Sequence, residues 1–133
     1  MKTSLVSSAL IASLLLVGVD AQARVSPGHT QDGVASYYHD RFHGRKTASG
    51  TAYNKNTLSA AHKTLPLGTE VRVTDARSGK SVIVRINDRG PFVKGRVIDL
   101  SRAAAREIGL TQKGLTKVKV EVLKVPQKGR RDS

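Results

Sequence analysis

The chain has 133 residues, a formal net charge of +13 and no cysteine. That length supports one compact domain rather than two. The lack of cysteine excludes a disulfide framework, a thiolate metal site and a cysteine nucleophile within these residues.

Read from the start, Lys2 precedes an apolar run from Leu5 to Val19, and Ala21-Gln22-Ala23 follows with a small-x-small pattern. This is a secretory signal peptide over residues 1–23, too short in its apolar core and too broken by Ser7, Ser8 and Ser13 for a membrane span. Cleavage is expected near Ala23-Arg24, giving a periplasmic or secreted protein. With no cysteine to carry a lipid, no stable membrane anchor is expected, and the mature chain is expected to be a monomer. Lys2 and Asp20 cancel, so the positive charge belongs to the remainder. In the cytoplasm that charge would suggest nucleic acid, but the chain lacks an aromatic-and-basic recognition motif, so no nucleic-acid partner is expected. Outside the cytoplasm the matching polyanions are those of the cell wall and outer leaflet.

Residues 24–32 mix Pro, Gly, Ser, His and Gln without periodicity and read as a flexible leader. The domain is expected at residues 33–125, followed by a basic, disordered tail at 126–133. Short strands are predicted at Val34–Tyr38, Glu70–Asp75, Ser81–Ile86, Arg96–Leu100 and Lys117–Val125. Ala76–Gly79 makes a hairpin of the second and third. In Lys117–Val125, Val118, Val120 and Val122 alternate with charges, which puts the valines in a core. Ser81–Ile86 carries Val82, Val84 and Ile86 on one face and Ile83 on the other, and is expected to be buried on both. One helix follows Ser101, a plausible N-cap, runs over Arg102–Ile108 and stops at Gly109. Ala104, Ala105 and Ile108 can dock it on the sheet. The fold class is mostly β, a small closed barrel with one short helix.

The unusual segments are loops, where sites are usually built: Phe42–Gly50, Ala60–Thr69 and Asn87–Phe92. Asp32 and Asp132 fall in the ends, Glu107 and Glu121 on exposed faces, and Asp75 opens a hairpin. Asp88 and Asp99 remain, at the ends of buried strands, where a general acid for a glycosidic oxygen could be built. Each has a structural reading beside this one: Asp88 as turn chemistry, Asp99 as a helix cap, and His62 as a hydrogen-bonded structural histidine. Tyr37, Tyr38 and Tyr53 can stack on sugar rings or fill the core. No Ser-His-Asp order or metal-ligand spacing stands out, so no cofactor or metal is expected.

Ala35–Tyr38, Phe42–Gly50, Ala61–Thr69 and above all Val84–Ser101 resemble the rare lipoprotein A (RlpA) family over nearly all of residues 33–125. The resemblance implies a six-stranded double-psi β-barrel and a peptidoglycan lytic transglycosylase. Such an enzyme cleaves MurNAc-GlcNAc β-1,4 bonds to 1,6-anhydroMurNAc ends and prefers strands without stem peptides. The alternative is an expansin-like module that binds peptidoglycan without cleaving it. Residue by residue, the family's acid/base aspartate falls on Asp88. His62, Asp99, Arg89, Ser49 and Thr51 fall on its substrate-binding positions. The family follows Thr-Ala-Ser-Gly with Glu; here Thr51 stands in that place, which implies a weaker enzyme.

Overall fold

The computed structural model describes residues 25–127, so the signal peptide read at residues 1–23, Arg24 and residues 128–133 lie outside the described residues. Six strands are present: β1 (Thr30–Tyr37), β2 (Ser59–Ala61), β3 (Glu70–Asp75), β4 (Ser81–Asp88), β5 (Arg96–Leu100) and β6 (Thr116–Lys124). They close into one barrel in the order β1-β5-β2-β4-β3-β6. Two neighbouring pairs, β1 with β5 and β2 with β4, run parallel, and the other four pairs run antiparallel. Closure leaves no strand edge to be covered, a suitable solution for a domain this small.

The two-residue period of the strands decides which side chains meet inside. Val71 and Val73 of β3, Val82, Val84 and Ile86 of β4, and Val118, Val120 and Val122 of β6 all point inward and are buried. Ile98 and Leu100 of β5 complete that core. The alternate residues of β4 and β6 face water, and Ile83 does so as well, at 46% exposure. Burial of β4 on both faces, expected from its apolar run, does not occur because none of the described residues packs over the outer surface there. Outside, Arg72 of β3 pairs instead with Glu121 of β6 at 2.9 Å.

Several boundaries also differ from the pattern-based reading; β4 runs on to Asp88 rather than ending at Ile86, so Asn87 and Asp88 are strand and not loop. Strand β1 starts at Thr30, and its Thr30–Asp32 stretch pairs with β6, so part of the segment read as a leader is strand. Strand β2 is three buried residues long, too short for an alternation to show. The helix is two: α1 (Arg102–Glu107) and α2 (Leu110–Lys113), with Gly109 between them in the left-handed region at φ 76°. Ser101 caps α1 as expected, accepting from the Ala104 N–H. Ala104, Ala105, Ile108 and Leu110 are all buried against the barrel.

The closed topology also aligns the chemistry. Asp99 of β5 lies between Ser36 of β1 and Ala61 of β2, and Ala61 in turn lies beside Asp88 of β4. The row Ser36–Asp99–Ala61–Asp88 therefore crosses four adjacent strands that are distant in sequence. With strands ~4.8 Å apart, the two aspartates are separated by one strand that carries only a methyl group.

Candidate active site

Asp88 ends β4, and its carboxylate is held from three directions. Tyr38 donates its hydroxyl to Oδ2, while the N–H groups of Ala48 and Arg89 donate to Oδ1, each at 2.9 Å. Tyr38 is itself fixed. Its ring stacks on Tyr53 at 4.4 Å and 14°, and Phe42 meets it edge-on at 6.1 Å. Burial, and then the bond to Asp88, push the Tyr38 phenol above its ordinary range, so it stays a donor at any working pH. Tyr53 is buried, and its hydroxyl accepts from the Arg102 N–H at 3.1 Å, which ties this aromatic stack to the start of α1.

Asp99 lines the same groove but is differently committed. Arg96 donates to Oδ1 at 2.9 Å, and Ser36 donates its hydroxyl to the same oxygen. The helix-capping role open to Asp99 from sequence is filled by Ser101 instead. Asp88 and Asp99 face a cavity of about 510 Å³, with Tyr38, Arg45, Lys46 and the exposed Phe92 at its sides. Gly90 begins the turn toward Phe92 at φ 124°, a backbone conformation that side chains avoid.

His62 is not brought into that groove. The imidazole is 5% exposed and lines a separate cavity of about 290 Å³ with Gln31 and Leu65. Its Nδ1 accepts from the N–H groups of Thr64 and Leu65, both at 3.1 Å, and Nε2 lies 2.8 Å from Gln31 Oε1. Two donors at Nδ1 place the proton on Nε2, so both nitrogens are satisfied by the protein. Burial, and then the nearby Arg89, lower its pKa to about 4. Arg89 turns back on the same loop and donates from Nη1 to His62 O at 3.1 Å and Leu65 O at 2.7 Å. Together with the His62 N–H to Asp88 O bond of 3.1 Å, this stitches the His62–Leu65 turn to the strand end that carries Asp88. His62 thus stands behind the strand end that carries Asp88, outside the groove.

Ser49 and Thr51 also lie apart, in a separate cavity of about 330 Å³ with Arg85 and Asn87. Tyr38, read from sequence as a sugar-stacking or core aromatic, and Arg96, given no role there, are the groove residues that hold the two carboxylates. Tyr38 sits just past a strand end, and only the parallel pairing of β1 with β5 reveals the setting of Arg96. Among the described residues no cluster of three metal-ligating side chains occurs.

The fold is a closed six-stranded double-psi β-barrel, with an open groove and an aspartate anchored at a strand end. Residues 30–120 match the family model described as lytic transglycolase, and the chain belongs to that family. It is 59% identical over 108 residues to the endolytic peptidoglycan transglycosylase RlpA of Pasteurella multocida, covering 81% of this chain and 37% of the relative. The RlpA of Haemophilus influenzae is 54% identical over 101 residues, covering 76% and 35%. The chain therefore spans roughly a third of the length of these relatives. Among solved structures, the Streptomyces papain inhibitor superposes with a TM-score of 0.61 at 23% identity, covering 76% of this chain and all of that one. A Clavibacter michiganensis expansin in complex with cellohexaose gives 0.56 at 21%, covering 74% and 52%. These last two are likenesses of fold.

Proposed function

We propose that the chain is a lytic transglycosylase that acts outside the cytoplasm, after signal-peptide cleavage, on peptidoglycan glycan strands lacking stem peptides. The observation that carries this reading is Asp88, a carboxyl group at the mouth of the groove held by Tyr38, Ala48 and Arg89. Asp99, the other carboxylate there, is engaged by Arg96 and Ser36. A hydrolase needs a second carboxylate to direct water. A transglycosylase does not, because the muramic acid C6 hydroxyl is already tethered to the reacting carbon.

In its protonated form Asp88 gives its proton to the glycosidic oxygen as the C1–O4 bond breaks. The resulting carboxylate takes the C6 hydroxyl proton as O6 bonds to C1, which closes the 1,6-anhydro ring and restores the acid. Arg89 and His62 hold the strand end from behind, and Asp99 with Arg96 orients the sugar. The names of the RlpA relatives support the same reaction.

The test is product analysis on purified peptide-free strands. Wild type is expected to release anhydro-ended fragments, and Asp88→Asn to lose about 10²–10⁴-fold in rate without loss of fold. Retention on sacculi with no anhydro product from wild type would assign the groove to binding alone.

A further inference from the structure

The cavity lined by Ser49 and Thr51 carries an inference of its own. It measures about 330 Å³, with Leu67 and Ile86 among its walls and Ser49, Thr51, Asn87 and Arg85 as its polar groups. The three hydroxyls near it form a directed chain. Thr47 Oγ1 donates to the Thr51 carbonyl at 2.7 Å, which uses its only proton. Ser49 must then be the donor in its 2.9 Å contact with Thr47, and Thr51 the donor in its 3.0 Å contact with Ser49. The Thr51 hydroxyl is thus the free end of the chain and can turn its proton to a ligand without orphaning a donor. Arg85 supplies the charge. Among the described residues it has no ion pair, and Glu70, its cross-strand neighbour, does not engage it. The polar side chains that line the cavity with Arg85 are those of Ser49, Thr51 and Asn87, all of them neutral.

We infer that this cavity is a carboxylate subsite, which takes an acidic substituent on the sugar held at Asp88. The inference rests on the proposed glycan substrate and deepens it. On a peptide-free muramic acid unit the lactyl carboxylate is free and anionic, whereas an attached peptide converts it to a neutral, bulky amide. Arg85 with a hydroxyl and an amide around it is a donor set suited to a carboxylate. Asn87 adjoins Asp88 in the chain, and Ser49 adjoins Ala48, whose N–H donates to the Asp88 carboxylate, so the two cavities are lined by neighbouring residues of the same two segments.

The probes are N-acetylmuramic acid and its methyl ester, titrated into the full chain while the backbone amide signals of Ser49, Thr51 and Asn87 are followed by NMR. The acid is expected to bind about 5-fold more tightly than the ester, the advantage of one exposed charge-assisted contact. That advantage is expected to fall with added salt. It is expected to vanish in Arg85→Gln, and in Thr51→Glu, where an internal carboxylate occupies the guanidinium. Equal binding of acid and ester, no saturable binding of either, shifts confined to the Asp88–Arg96 groove, or an advantage that survives both substitutions would overturn the inference. Product analysis on strands separates this from the reaction itself. Anhydro products without acid preference would sink the subsite alone, and acid preference without products would sink the transglycosylase alone.

Discussion

Asp88 depends on a neighbour whose only polar contact with it is one hydroxyl. Tyr38→Phe keeps the ring, its stacking on Tyr53 and its edge contact with Phe42, and removes the donor to Oδ2. A hydrogen bond to a carboxylate contributes about 1.5–3 kcal/mol, so turnover on peptide-free strands should fall roughly 10- to 100-fold. If Tyr38 only orients the carboxyl, the Michaelis constant should hardly move while kcat falls. An unchanged kcat would show that Ala48 and Arg89 suffice to hold the group. The same residue shows where sequence reading stops. Asp88 and Asp99 stand out because few carboxylates remain once the exposed ones are set aside. Their fixed partners Tyr38, Ala48, Ser36 and Arg96 come mostly from other strands and loops, and no spacing within the chain predicts those contacts.

At the scale of elements, the strands with clean alternation were legible because one face of each meets the core. Glu70–Asp75 and Arg96–Leu100 have the bounds their pattern predicts. Strand β2 is too short to show a period, and Ile83 is apolar by sequence yet exposed, because alternation tells which residues share a face but not what covers it. His62 is the sharper case. Its position in a loop rich in turn residues suits a ligand contact as well as a structural anchor, and the two N–H groups at Nδ1 favour the anchor. His62→Ala should leave the buried Leu65 amide without its partner and free the Thr64 amide to water, at a cost of about 1–3 kcal/mol. Amide hydrogen exchange should quicken first across His62–Leu65, and turnover should fall through loss of the stitched loop. If stability stays at the wild-type value while activity is lost, His62 acts on the substrate after all.

For the whole molecule, two buried groups on opposite sides of the titration range give acid unfolding a definite shape. His62 is neutral in the fold with a pKa of about 4, below its ordinary 6.5, so the unfolded chain binds more protons between those values. Stability should therefore be full above pH ~6.5 and fall as pH drops toward ~4, by up to ~3 kcal/mol from this group. Asp75 is fully buried where β3 enters its hairpin. Lys113 of α2 donates to it at 2.7 Å, the Arg77 N–H at 2.9 Å and Thr116 of β6 at 3.3 Å, so one carboxylate joins hairpin, helix and strand. The hydrogen bond from Lys113, more than any other cause, lowers its pKa from 3.8 to about 2. Its contribution should persist below the first window and disappear only as pH falls from ~4 toward ~2. Urea unfolding followed from neutral pH to about pH 2 should thus show two successive losses. His62→Gln should flatten the upper one and leave the lower. Asp75→Asn should flatten the lower one while costing about 1–3 kcal/mol at neutral pH, because the buried side chain loses its charge-assisted bond from Lys113, whose ammonium stays partly solvated. A profile in which Asp75→Asn removes the upper loss, or His62→Gln leaves both, would show that the acid sensitivity of the barrel is carried by other groups.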